Sequence, residues 1–309
     1  MVNKEWDLID LRVFCLVARR GSFVAAATEM GISPAYVTKR VAGLERALGQ
    51  TLLHRTTRRV LISEAGEAAY AWARRVLDAA DEGPALAGAP GQALLAGTLR
   101  IATSLRLGRN HLSPILARLS ELHPALEVWL ELVDRRVDLL DEGFDIDIRV
   151  GEVEEPHLIA HRIVPSVRVL CAAPAYLARR SAPRSLAELA QHDCLLLRER
   201  QQGFGIWRMQ GPRGLESVKV TGNLGTNHSD VVNHWALAGK GIVLLSSWDV
   251  DEALRSGALQ RVLPDYCQRA DVWAVTAARS QQSPKLQRCL SFLTEALCHG
   301  PHALHTLER

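Results

Sequence analysis

Apolar positions recur at helical spacing from near the start of the chain. Leu11, Phe14, Cys15, Val17 and Ala18 form one stripe, which predicts an amphipathic helix over residues 10–19. Gly21 ends it, and Ser22 caps a short, alanine-rich helix over residues 23–30. In the turn Gly31-Ile32-Ser33-Pro34, Gly31 makes the tight bend and Ser33 caps. Pro34 takes the first helical position, where its missing N–H costs nothing. The helix so opened runs to residue 48, with Val37, Val41, Leu44 and Leu48 facing inward. After Gly49 the pattern changes, and residues 52–53 and 60–62 read as two short strands around a basic tip. Ser63 then caps a further helix with acids in its first turn, where the helix dipole favours them. Ala65, Ala68, Ala69, Trp72, Val76, Ala79 and Ala80 keep its step of three and four up to Asp81.

Residues 83–97, with Gly83, Pro84, Gly88, Pro90 and Gly91 among many alanines, have the composition of a hinge. From Thr98 onward strands and helices alternate. Strands are predicted over residues 99–102, 126–132, 145–150, 167–172, 194–197, 218–220 and 242–245. Helices are predicted over residues 111–122, 137–142 and 230–238, the last closed by Gly239-Lys240-Gly241. This alternation predicts a doubly wound α/β body over a mostly parallel sheet. The chain thus divides into a head of residues 1–62, a linker helix of 63–82, a hinge of 83–97, a body of 98–300 and a polar tail of 301–309.

With 48% apolar and 23% charged residues among 309, the composition is ordinary for a globular chain of two or three domains whose cores need no disulfide or metal staples. No apolar run approaches the ~20 residues of a membrane helix. Glu5 and Asp7 stand where an export signal would carry basic residues, so the expected location is the cytoplasm. The six cysteines are scattered and read as free, small apolar fillers. The net charge of +3 hides an asymmetry. Residues 1–62 hold ten Lys/Arg against five Asp/Glu, and the remainder holds 27 against 29. A basic head on a near-neutral body suggests a polyanion partner for the head alone.

Two helices joined by a glycine turn, followed by a basic strand pair, make a winged helix-turn-helix whose second helix can fill the major groove of duplex DNA. Ser33 and Pro34 open that helix, and Ala35, Tyr36, Thr38, Lys39 and Arg40 lie on its outward face. That face offers a hydroxyl, a ring and cations, with no acid. The wing residues Arg55, Thr56, Thr57 and Arg58 suit phosphate oxygens and a narrow minor groove.

In the body, two loops lead from a strand into a helix N-terminus, the position at which α/β sheets hold ligands. The first supplies Thr103, Ser104, Arg106, Arg109 and His111, and the second Thr226, Asn227 and His228. Arg149 at a strand end, and Arg198 with Phe204 after another strand, can face the same cleft. Guanidinium groups grip a carboxylate bidentately and helix N-termini add partial positive charge, so the set predicts a small anionic effector, an organic acid. For each of these residues the plain alternative is a hydrogen-bonded loop residue or a surface salt bridge. Arg135 and Arg136 read as surface.

No GxGxxG, GxxxxGK[ST] or GxSxG run is present. Ser229 lies between His228 and Asp230, but adjacent residues cannot form a catalytic triad. Pro156 and the strand-like Leu158-Ile159-Ala160 argue against His157 and His161 as a helical zinc pair. No catalytic residue, cofactor or metal is predicted. Two rivals to a DNA-binding protein remain, a small-anion solute-binding protein and an α/β enzyme with a regulatory head. The missing export signal and the basic head weigh against the first, and the missing nucleophile, metal and cofactor motifs against the second.

The run Phe14, Gly21-Ser22-Phe23, Ala25-Ala26-Ala27, Ser33-Pro34, Val37-Thr38, Leu44-Glu45 and Leu48-Gly49, then Leu53, Arg55-Thr56-Thr57-Arg58 and Ser63-Glu64-Ala65-Gly66, resembles the LysR-type transcriptional regulators. Thr38 stands where serine is usual in that family, and His54 departs from the common wing pattern. The stretches Gly143-Phe144-Asp145-Ile146-Asp147-Ile148-Arg149-Val150-Gly151 and Trp235-Ala236-Leu237-Ala238-Gly239-Lys240-Gly241-Ile242 resemble the family's effector domain, so the likeness spans about residues 7–298. It implies a two-lobed domain like that of periplasmic solute-binding proteins, with lobe I of residues 98–162 and 271–300, lobe II of 163–270 and the effector between them. It also implies that the linker helix dimerises the chain, the alternative being a helix packed on its own head, and that the bodies join dimers into a tetramer. Promoter DNA and, for an activator, RNA polymerase are the further partners implied. Residues 229–237 and 246–250 resemble a branch that includes regulators of hydroxy-dicarboxylate (malate-type) catabolism.

Overall fold

The structure, a computed structural model, describes residues 6–55, 60–86, 95–139, 142–198, 205–277 and 283–305, and for residues 55, 78 and 81–86 the backbone alone. It comprises two compact units, Met1–Thr98 with Asp138–Gly143, and Leu99–Val137 with Phe144–Arg309.

The first unit holds α1 (Leu8–Arg20), α2 (Phe23–Met30), α3 (Pro34–Leu48), β1 (Leu53–Arg55), β2 (Val60–Ile62) and α4 (Glu64–Leu86). α1 starts ahead of its apolar stripe because Asp7 and Asp10 form a capping box. Each carboxylate accepts the other residue's backbone N–H, at 2.9 and 3.0 Å. Ser22 and Ser33 cap α2 and α3 through their hydroxyls, each accepting an N–H at 3.2 Å. Leu11, Val13, Phe14, Val17, Ala26, Val37, Val41 and Leu44 are wholly buried at the three-helix centre. Each of the larger ones contributes on the order of 1.5–3 kcal/mol by leaving water. β1 and β2 pair antiparallel, with Leu53 opposite Ile62 and Arg55 opposite Val60.

α4 runs to Leu86, past the expected stop at Asp81 and through Gly83 and Pro84. Pro84 is the third residue from the helix end, where its fixed, helix-compatible φ can be accommodated at the loss of one backbone hydrogen bond. Of the rest of the expected hinge, residues 87–94 lie outside the described residues, and Gly97 already begins a strand. α4 sends Ala73 and Leu77 into the head core, with Ala69, Tyr70, Trp72 and Val76 packed beside them. Trp72 meets Trp6 edge-on at 5.1 Å.

In the second unit, lobe I takes β3 (Gly97–Thr103), α5 (Leu105–Leu107), α6 (Ser113–Leu122), β4 (Leu126–Leu132), β5 (Ile146–Val150) and β6 (Leu158–Val164). Lobe II takes β7 (Val167–Ala172), α7 (Pro174–Arg179), β8 (Leu196–Leu197), β9 (Ile206–Gly211), β10 (Gly214–Lys219) and β11 (Gly225–Thr226). It continues with α8 (Ser229–Leu237), β12 (Val243–Ser246), α9 (Ser247–Arg255), β13 (Gln260–Arg261) and β14 (Cys267–Arg269). The chain returns to lobe I as β15 (Val272–Ala277) and α10 (Pro284–His299).

Where a mostly parallel sheet was expected, the lobe I sheet is mixed and the strand pairs of the main lobe II sheet are antiparallel. Lobe I has the order β4-β3-β5-β15-β6, and lobe II β10-β9-β14-β7-β12 with β13 also on β7. β3 is parallel to β5, but β15 comes back from lobe II and runs antiparallel to both β5 and β6. β12, β13 and β14 all run antiparallel to β7, and β9–β10 is a hairpin. A sheet that takes its inner strands from distant parts of the chain receives them in both directions.

Two local expectations also change. The helix expected over 111–122 is entered earlier, through α5 and a π-helical turn at Gly108–Leu112, whose register shift fits the missing N–H of Pro114. Of the helix expected over 137–142, residues 140 and 141 lie outside the described residues, and the Glu142 N–H donates to the Asp138 carbonyl at 2.9 Å. The tail expected to be polar is anchored. Ala303 and Leu304 are buried, and the Leu304 N–H donates to the Leu297 carbonyl at 2.9 Å. All six cysteines are free thiols.

Candidate functional site

On the head, α3 presents Ser33, Pro34, Ala35, Tyr36 and Lys39 to the exterior, with Thr38 and Arg40 half-buried. Its helical period alone separates these from Val37, Val41 and Leu44 beneath. Arg40 is engaged within the head. Its Nε and Nη2 donate to the Tyr36 hydroxyl at 2.8 and 2.6 Å, and its Nη1 lies 3.2 Å from both Asp7 and Asp10. The Tyr36 hydrogen bond and the two carboxylates raise its pKa. Glu45 reaches back from α3 to accept the N–H groups of Leu52 and Leu53 at 2.8 and 3.1 Å, which fixes where the wing leaves the helix. The side chain of Arg55 and all of Thr56, Thr57 and Arg58 lie outside the described residues.

On the second unit, a cleft of about 540 Å³ opens between the two lobes. Five arginines line it: Arg136, Arg149, Arg168, Arg208 and Arg269. Ser104, Asn227, Ser229, Trp248, Gln210 and Gln268 add polar and aromatic surface. Arg149 is buried and paired with Asp147 at 2.7 Å and Glu155 at 2.8 Å. Arg168, only 3% exposed, donates to the Gln268 side chain at 2.8 Å. Arg208 has no carboxylate partner among the described residues.

Beside the cleft lies an ion cluster. Arg106 of lobe I donates through Nε to the buried Asp249 carboxylate, through Nη2 to the Asp249 carbonyl at 3.1 Å and through Nη1 to Asp230 at 2.9 Å. Arg109 also meets Asp230, at 3.0 Å. Burial pushes Asp249 up to about 6 against the pull of Arg106. At Asp230 the cost of burial is outweighed by Arg106 and Arg109, which hold the carboxyl below its usual range. His111 donates through Nδ1 to the His302 carbonyl at 2.9 Å and meets Trp248 edge-on at 5.4 Å. Burial lowers its pKa.

Residues 8–67 match the bacterial regulatory helix-turn-helix proteins of the lysR family, and residues 92–298 match the LysR substrate binding domain. The chain belongs to the LysR family. This LysR-family chain is 45% identical over 292 residues to the HTH-type transcriptional regulator DmlR of Escherichia coli (strain K12), covering 93% of its own length and 94% of that relative. It is 41% identical over 298 residues to the HTH-type transcriptional activator TtdR of the same strain, covering 95% and 94%. Among solved structures, CrgA, a LysR-type transcriptional regulator from Neisseria meningitidis, aligns with a TM-score of 0.60 at 29% identity over 94% of this chain and 99% of that one. The regulator is a DNA-binding transcription factor with an effector domain, and the family displaces both the solute-binding and the enzyme alternatives. No described helix is long and apolar enough to cross a membrane.

Of the effector residues expected from the sequence of this LysR-type regulator, Ser104, Arg149 and Asn227 line the cleft. Thr103 is buried, its hydroxyl donating to the Ile148 carbonyl at 3.0 Å. Arg106, Arg109 and His111 are held in the contacts just described, and His228 pairs with Asp134 at 2.8 Å. The Thr226 hydroxyl accepts the His228 N–H at 3.0 Å, Arg198 is exposed away from the lining, and Phe204 lies outside the described residues. Arg136, expected on plain surface, lines the cleft. Sequence reasoning missed Arg168, Arg208, Gln268 and Trp248. A signal for the first was available: Val167-Arg168-Val169-Leu170-Cys171-Ala172 is a wholly buried strand, and one cation within it calls for a polar neighbour.

Proposed function

We propose that this regulator senses a small hydroxy-dicarboxylate of the malate or tartrate type in its interlobe cleft. The observation that carries the reading is Arg168, an arginine buried in the cleft wall and oriented by Gln268, with Arg208 and Arg269 on the neighbouring strands of the same sheet. A dicarboxylate presents two charges and at least one hydroxyl, which suits guanidinium forks interspersed with the side chains of Ser104, Asn227 and Gln210. The likeness of residues 229–237 and 246–250 to the branch that includes regulators of hydroxy-dicarboxylate catabolism supports the same acid class. On this reading the protein acts in the cytoplasm and pairs with a second copy through α4. The bodies of two such dimers form the tetramer. α3 enters the major groove of promoter DNA, with Tyr36, Thr38 and Lys39 toward the bases, and RNA polymerase is the further partner where the outcome is activation.

Isothermal titration of the full-length protein with D-malate, L-tartrate and acetate tests the acid. Heat from a dicarboxylate, none from acetate, and loss of that heat in Arg168→Met are expected. Absence of heat from malate and tartrate alike removes the reading.

A further inference from the structure

Among the described residues, the chain passes between lobes I and II at two neighbouring places, Val164–Val167 and Arg269–Val272. Asp271 braces both crossings. Its carboxylate accepts the Ser166 N–H at 3.1 Å and pairs with Arg269 at 2.8 Å, and the Ala270 N–H donates to the Ser166 carbonyl at 2.8 Å. Two strands held side by side make a hinge, and a hinge alone leaves the angle between the lobes free.

Contacts across the gap set that angle: the His228–Asp134 pair at 2.8 Å, the His111–Trp248 edge contact at 5.4 Å, and a more extensive attachment built on Arg106. Arg106 follows β3 in lobe I, whereas Asp230 and Asp249 sit in the first turns of two lobe II helices, α8 and α9. One guanidinium therefore ties both helices to lobe I through three hydrogen bonds, with Arg109 as a further cation on Asp230. The two helix N-termini gain nothing by meeting a cation directly, and the interposed aspartates reverse that sign. The same residues adjoin the cleft, since Asp249 lines it beside Trp248, and Ser104 lines it two residues before Arg106. We propose that Arg106 is a positioning residue, a clasp that sets the interlobe angle at which the effector cleft is assembled. Its effect on effector affinity rests on the acid-sensing reading above, whereas its effect on the lobes needs no effector. When the clasp opens, the lobes rotate about the Asp271 hinge, and the fraction of molecules with both cleft walls in place falls. Apparent affinity falls by the same fraction.

Hydrogen–deuterium exchange of the full-length protein without ligand, in native form, Arg106→Gln and Asp230→Asn, tests the clasp, followed by titration with D-malate and L-tartrate. Asp230 is one-third exposed, so its asparagine variant keeps the fold even where Arg106→Gln does not. The expected result is faster exchange on both sides of the gap, in residues 104–112 and in 227–237, with the inner strands of each lobe unchanged. Binding of the dicarboxylate should weaken by about 5- to 150-fold, the usual range of coupling between sites. The inference is overturned if exchange in Asp230→Asn changes in lobe II alone, or if both variants match the native protein. If exchange responds in both lobes while the native chain binds neither acid, the clasp stands and the acid-sensing reading fails.

Discussion

A methyl group added to Gly66 would lie 2.0 Å from the Leu52 carbonyl oxygen and 2.8 Å from the Ile62 side chain. Backbone on one side and a packed strand on the other leave little room to yield, so Gly66→Ala should cost ~1–3 kcal/mol of head stability, read as a lower melting temperature of the full chain. Two buried aspartates answer to pH in opposite senses. At Asp271 burial would raise the pKa, but Arg269 and the Ser166 N–H outweigh it and hold the carboxyl below its ordinary 3.8. The stabilisation this gives is present above that value and is lost as pH falls through the folded pKa, and Asp271→Asn should remove that part of the acid transition. Asp249 is raised to about 6, so the folded state takes up its proton first, and its contribution to stability improves as pH falls from 7 towards 5. Thermal melts of Asp249→Asn over that interval should lack the improvement.

At the scale of elements, α3 separates two cations that the sequence places on one face. Lys39 is exposed, whereas Arg40 is tied to Tyr36, Asp7 and Asp10. Lys39→Ala should relax the preference at one base pair by ~1–3 kcal/mol in competition mobility shifts. Arg40→Ala should leave the dependence of DNA affinity on salt unchanged and lower stability, because it takes a half-buried guanidinium away from the buried Asp10 carboxylate. The helices, caps and wing strands of the head were legible because caps and period are local: Ser22, Ser33 and Ser63 each announce a helix within a few residues. What escaped was set at long range. Antiparallel entry of β15 depends on a strand more than a hundred residues away, and Arg168 looks like a flaw in an apolar strand until Gln268 is brought beside it. Arg106 was singled out as a cation for a ligand, since nothing in the sequence shows that Asp230 and Asp249 reach it first.

For the whole molecule, the end of the chain matters more than its polarity suggests. Leu304 is buried, and the His302 carbonyl holds the His111 ring whose edge abuts Trp248 in the cleft wall. Removing residues 301–309 should therefore release His111 and alter the environment of Trp248, seen as a shifted tryptophan emission together with weaker dicarboxylate binding. The stretch shared with the family stops at residue 298. A premature stop codon just beyond it would spare the whole matched stretch and still blunt the regulator's response to its effector. The opposite terminus is the safer place for a handle only if it begins ahead of Trp6, whose ring is packed edge-on against Trp72.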